Sequence, residues 1–238
     1  MSPHSNTTVV LVHGAFAENS SWNGVIDRLG QNGVRSVTAS NPLRSVSGDA
    51  EYVADIVRSI DGPVVLVGHS YGGVVITHAA TGLSNVEALV YVAAFAPDVG
   101  ESTAQLSQLH PGSTLGESVE GTPLRSGEIE FTIRHDLFHA QFCADVDGPT
   151  AALMAATQRP ITDRALTETL SASTPGWVGI PSWFVYGGAD KNIPEAALAF
   201  FAERAGSRGT ACIEDASHAI HVSRPEVVTE TILRAIAR

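Results

Sequence analysis

One junction constrains the fold more than any other feature. The β-branched run Val64–Val67 passes without a break into Gly68-His69-Ser70-Tyr71-Gly72-Gly73, after which Val74, Val75, Ile76 and Ala79 continue as a helix. A strand that becomes a helix within so few residues leaves no space for side chains at 68 and 72, where a Cβ would meet neighbouring backbone. The same turn lifts the Ser70 hydroxyl above the sheet edge, with a helix N-terminus beneath it. A Gly-x-Ser-x-Gly string alone is weak in a chain this rich in Gly and Ser; its place between a strand and a helix gives it weight.

The rest of the chain repeats the alternation. Apolar, β-branched runs at Thr8–Val12, Val34–Thr38, Val64–Val67, Ala88–Val92, Ser182–Tyr186 and Thr210–Ile213 read as strands buried on both faces. Helical spacing joins Trp22, Val25, Ile26 and Leu29, then Val53, Ile56, Val57 and Ile60, then Val228, Thr231, Ile232, Ala235 and Ile236. Asn192 with Glu195 and Ser223 with Glu226 read as capping boxes, each with a Pro in the first turn. The expected class is α/β, a mostly parallel sheet with helices on both faces. From 99 to 179 the rhythm breaks into Gly- and Ser-rich segments. A hairpin is expected from Thr122–Arg125, a Ser126-Gly127 turn and Glu128–Ile133, with short helices at Asp136–Phe142, Pro149–Gln158 and Asp163–Leu170. The expected organisation is therefore a core of 1–98 and 180–238 with a cap of 99–179 inserted into it.

A serine hydroxyl needs a base to take its proton and a third group to orient that base. The strand Ser182–Tyr186 leads into Gly187-Gly188-Ala189-Asp190, and the last strand into Glu214-Asp215-Ala216-Ser217-His218. Parallel strands align their carboxyl ends on one rim, so Ser70, Asp190 and His218 are expected to meet there. Asp98 also follows a strand and is the alternative acid; Asp215 reads as a solvated turn residue, and His221 is the rival base. His69 lies inside the turn, and His78 on the next helix has a packing role. The pair His135 and His139 has the spacing of metal ligands but lacks further ones, so no metal site is expected. For a developing oxyanion, the N–H of Tyr71 and that of Ala15, in the strand exit His13-Gly14-Ala15-Phe16, are the expected donors.

These residues resemble the α/β-hydrolase superfamily along the whole chain: the His13-Gly14-Ala15-Phe16 exit, the Gly68-His69-Ser70-Tyr71-Gly72 elbow, the Gly187-Gly188-Ala189-Asp190 turn and the Ser217-His218 loop. The chain is most similar to the small esterase branch of plant methylesterases and hydroxynitrile lyases. That resemblance implies an α/β-hydrolase fold with a compact six-stranded sheet, a cap inserted after Ala88–Val92 and a serine esterase without cofactor. Lyases of the branch carry Lys directly after the catalytic His and Thr where this chain has Gly14. Here Ala219 follows His218, which favours ester hydrolysis.

Composition narrows the partners. Lys and Arg number 14 against 25 Asp and Glu, a net charge of −11, and such a surface repels nucleic acid and anionic membranes. The polar start Met1–Thr8 lacks signal-peptide features and the longest apolar run, Ala88–Ala96, is too short to span a bilayer, so a cytoplasmic location is expected. Cys143 and Cys212 stand alone, without disulfide or zinc spacing. The expected partner is a small or medium, largely apolar ester, handled by a monomer or homodimer. Phe16, Leu124, Phe131, Phe138, Phe142, Leu153, Met154 and Trp183 are the expected pocket residues, while Arg125, Arg134 and Arg159 keep a carboxylate-bearing substrate open. A perhydrolase or haloperoxidase, a carbon–carbon bond hydrolase and a non-enzymatic receptor are the other classes the same residues allow.

Overall fold

The computed structural model describes residues 6–238. The polar start at Met1–Ser5, part of the case for a cytoplasmic protein, lies outside the described residues. The first half alternates strictly: β1 (Thr8–Val12), α1 (Asn23–Gln31), β2 (Arg35–Ala39), α2 (Val46–Arg58), β3 (Val64–His69), α3 (Gly72–Ala79) and β4 (Val86–Val92). After a long intervening segment come β8 (Ser182–Gly187), α9 (Glu195–Arg204), β9 (Thr210–Ile213), α10 (Ile220–Ser223) and α11 (Pro225–Ala237). Six of these strands form one sheet in the order β2-β1-β3-β4-β8-β9, every neighbouring pair parallel. The central strands β1, β3 and β8 are buried at every position, as their continuous apolar runs require.

The chain leaves β1 in one direction to build β2 and returns to place β3 on the other side. With right-handed crossovers, α1 lies on one face and α2, α3 and α9 on the opposite one. α11 packs on α1 and crosses β3, β4 and β8, while α2 packs on α3. The order reverses between β1 and β3, and in open α/β sheets the crevice for a ligand lies outside such a reversal. Ser70 and Ala15 emerge there, from adjacent strands paired at Val12 and Gly68.

Between β4 and β8 the chain forms α4 (Thr103–Leu106), α5 (Leu115–Ser118), β5 (Val119–Pro123), β6 (Ile129–Ile133), α6 (His135–Phe142), α7 (Gly148–Thr157), β7 (Ile161–Thr162) and α8 (Asp163–Thr167). The expected hairpin is present as β5 and β6, its turn closed by Leu124 N–H on Glu128 C=O and Gly127 at φ +90. Sequence reading missed β7, which adds a third antiparallel strand, and α4 and α5, each only four residues long. Such short elements leave no period to read. The segment is tied down along its length: Phe16 N–H donates to Arg159 C=O, Thr162 N–H to Leu43 C=O, and Arg204 binds Glu101 in an ion pair at 2.8 Å.

Both expected capping boxes are absent. α9 begins at Glu195 with Pro194 as its cap, and α11 begins at Pro225 with Arg224 as its cap, neither with a side-chain bond. A Pro sits best at the first helical position or just before it, so each helix starts too late for Asn192 or Ser223 to reach its free N–H groups. The capping box that does form is Ser102 with Gln105 at α4.

Candidate active site

At the end of β3 the backbone of Ser70 is left-handed, with φ at +54. A side chain rarely tolerates this, and the strain is held by the packing on either side. A Cβ on Gly68 would lie 2.5 Å from Gly72 C=O, and one on Gly72 would lie 2.5 Å from Val12 C=O. Helix α3 can therefore start directly under Ser70 only because both positions are Gly.

On the same rim, His218 Nδ1 lies 2.7 Å from Asp190 Oδ2, and both side chains are sealed from solvent. The other carboxylate oxygen, Oδ1, accepts from the N–H groups of Asn192 and Ile193 at 2.7 and 2.9 Å. Asp190 is thus held by its own loop and offers one oxygen to the imidazole, which places the Nδ1 proton on His218. Nε2 of His218 is buried and has no hydrogen-bond partner among the described residues. Ser70 Oγ is therefore not bonded to it here, an opening common in enzymes without substrate.

Three further imidazoles pack behind His218. His69 is 4.7 Å from it between ring centroids and 4.1 Å from His221, which in turn lies against Trp22 at 4.6 Å. His69 Nε2 donates to His218 C=O at 3.1 Å, since a carbonyl can only accept. Burial pushes His13 down to about 4 and His221 to about 3, and holds His69 well below the usual imidazole range. These three are neutral near pH 7, and none brings a positive charge against His218. Phe142 closes the other side, edge-on to His218 at 5.1 Å.

The N–H of Phe16 is engaged by Arg159, whereas those of Ala15 and Tyr71 have no backbone acceptor among the described residues. Tyr71 is anchored by its side chain, whose Oη donates to buried Asp49 at 2.9 Å. A cavity of about 410 Å³ runs from this point under the intervening segment and is lined by Ala15, Phe16, Ser70 and Tyr71 from the rim.

Of the expected pocket residues, Phe16 and Phe131 line this cavity and six do not. Phe138 and Phe142 are fully buried, stacked on each other at 5.0 Å behind the site. Leu153 is 68% exposed on α7 because the helix buries Ala151 and Ala155 instead. Met154 packs half-buried against the core, Leu124 sits at the hairpin turn, and Trp183 on β8 lies beside Gly209. The rest of the lining comes from residues that sequence reasoning did not assign to a pocket, notably Phe95 after β4 and Asn192 in the Asp190 loop on the rim side, and Thr103, Leu115, Val119 and Leu166 on the opposite wall. Among the rival residues, Asp98 turns its Oδ1 to Val99 N–H, Asp215 is exposed and paired with Arg224, and the His221 ring is buried without partners.

Comparison with known proteins agrees with this architecture. The profile of the alpha/beta hydrolase family matches residues 9–231. An alpha/beta hydrolase of Aspergillus novofumigatus, nvfD, is 26% identical over 95% of both chains. A carbendazim hydrolyzing esterase of Nocardioides is 33% identical over 41% of this chain and 46% of its own. Among solved structures, polyneuridine aldehyde esterase superposes with a TM-score of 0.82 at 19% identity, covering 96% of this chain and 98% of its own. A profile match that begins in the first strand of the sheet and ends in the last helix shows that the chain belongs to the alpha/beta hydrolase family.

Proposed function

We propose that the protein is a serine hydrolase of neutral carboxylic esters, with Ser70 as nucleophile, His218 as base and Asp190 as the group that orients it. Ser70 Oγ attacks the ester carbonyl as His218 Nε2 takes its proton. The N–H groups of Ala15 and Tyr71 receive the oxyanion, and the protonated imidazole, held by Asp190, returns its proton to the departing alcohol. Water then cleaves the acyl-enzyme by the same steps, releasing acid and free Ser70. The observation that carries this reading is the 2.7 Å bond between His218 and Asp190, which leaves Nε2 free on the rim from which Ser70 is raised.

The cavity supports the substrate class. No Asp, Glu, Lys or Arg is among its described lining residues, and Phe16, Phe95, Leu115, Phe131 and Ile193 give it an apolar body. Arg134 is turned to Asp136, and neither Arg125 nor Arg159 lines the cavity, so nothing there meets a carboxylate. Residue Ala219, beside the base, is buried and uncharged, which supports hydrolysis over release of cyanide. The similarity to proteins named as esterases points the same way. On this reading residues 99–179 form a cap that roofs the rim, and the partner is a small-molecule ester. No described helix is long and apolar enough to cross a membrane.

The test is hydrolysis of a series of p-nitrophenyl esters by wild type and Ser70→Ala. Wild type is expected to turn over the shorter acyl esters, and Ser70→Ala to lose at least about a thousandfold in kcat while keeping its circular dichroism spectrum. Equal rates in the two proteins would overturn the assignment of Ser70.

A further inference from the structure

If substrate occupies the cavity against Ser70, as the hydrolase reading requires, the polar groups of that wall are not equivalent. The hydroxyls of Ser107 and Ser113 each donate to a backbone carbonyl at 2.9 Å, those of Ala104 and Asn192. The Thr103 hydroxyl has no partner among the described residues but is enclosed by protein and out of a ligand's reach, and Gln108 is exposed. Asn192 differs from all of these. It is buried and lines the cavity, and its Nδ2 has no protein partner among the described residues yet is not enclosed by them.

Which end of that amide faces the cavity is determined from outside it. Gln141, on α6, places one amide atom 3.0 Å from Lys191 C=O, and because a carbonyl only accepts, that atom is Nε2. The second proton of Nε2 points to Asn192 at 2.8 Å, so the atom met there must be Oδ1. Thr114 and Ser118 donate to Gln141 Oε1 at 2.8 and 3.1 Å and hold the glutamine in place. With its oxygen so engaged, Asn192 turns an NH2 group, a donor and nothing else, toward the substrate space.

We infer that Asn192 is a specificity-determining residue whose Nδ2 donates to a neutral acceptor on the substrate, separate from the ester being cleaved. The ligand class is an ester that also carries a ketone, amide or second ester carbonyl. A carboxylate in that place would lose its hydration with no cation to meet it. This rests on the hydrolase reading for the location of substrate, and the test keeps the two apart.

Methyl hexanoate is compared with the three methyl oxohexanoates that carry a ketone at C3, C4 or C5. Turnover is followed by pH-stat in wild type, Asn192→Leu and Gln141→Glu, and binding by calorimetry in the same proteins carrying Ser70→Ala. Wild type is expected to favour at least one oxo ester about tenfold in kcat/KM, with a similar preference in Kd, and Asn192→Leu to bring both ratios to about one. Gln141→Glu probes the donor from outside the cavity; it also loses the bond to Lys191 C=O in the acid loop, so its turnover of methyl hexanoate is the reference for its ketone preference. Its carboxylate can only accept, so the Asn192 amide turns round, the ketone preference disappears, and the matching hydroxy ester, able to donate, still binds. Equal handling of all four esters by wild type, or a ketone preference unchanged in Asn192→Leu, overturns the inference. Binding preference without turnover of any ester would uphold the subsite and overturn the hydrolase reading instead.

Discussion

The rim at the ends of β1 and β3 and the wall facing it from residues 99–179 are made by opposite means. On the rim, backbone approaches backbone so closely that the residue type is dictated: Gly68 and Gly72 have no room for a Cβ, and Ser70 is held left-handed between them. The wall is assembled from helices of four residues, a hairpin and loop ends, each placed by contacts remote in sequence. On the proposed function, the chemistry falls to the rigid rim and most of the substrate contact to the wall, with Asn192 of the acid loop as the rim's own contribution to substrate choice.

The contrast can be broken at several points. The largest effect is expected from acid. His13 and His221 have folded values of about 4 and 3 against 6.5 in an unfolded chain, so below pH 6.5 the unfolded state takes up protons that the folded state refuses. Stability is therefore level above that pH and falls below it, by roughly 4 kcal/mol at pH 5 if both sites contribute. Urea unfolding at pH 7.5, 6 and 5 measures this, and His221→Leu is expected to remove about half of the fall while His135→Gln, an exposed residue of the intervening segment, leaves it unchanged. A flat profile in wild type would remove the case for neutral imidazoles behind His218.

Next in size is Gly72→Ala, whose Cβ would sit 2.5 Å from Val12 C=O. A loss of about 3 kcal/mol is expected, seen as a Tm lower by roughly 5–10 °C, together with a fall in kcat as the elbow shifts. An unchanged melting curve would show that the rim yields more easily than its packing implies. The smallest effects belong to the wall. Phe131→Ala is expected to raise KM about fivefold for the longer p-nitrophenyl esters with kcat nearly unchanged. Leu153→Ala, on the solvent side of α7, should alter neither KM nor stability beyond about 0.5 kcal/mol. If Leu153→Ala proved the more damaging of the two, the cavity would be the wrong substrate space.

Legibility in the sequence follows the same division. Strand runs, the elbow and the loops carrying Asp190 and His218 could be read because a parallel sheet imposes continuous apolar runs and brings their ends to one edge. The wall could not. Phe138, Phe142 and Trp183 look like pocket residues from their size, but large aromatic side chains are also what fills a core, and no local pattern distinguishes the two uses. Asn192 was read as a helix cap from its spacing to Glu195; only the position of Gln141, far away in the chain, shows that its side chain is engaged elsewhere.

Position 192 has a consequence for how such an enzyme can diverge. Its main-chain N–H binds Asp190, a service that any residue except proline performs, while the residue also lines the cavity that the proposed function gives to substrate. On the proposed function, one codon can therefore be rewritten to retune selectivity while Asp190 keeps its main-chain anchor. On that reading, a library at Asn192 would shift ester preference without loosening the loop that carries Asp190.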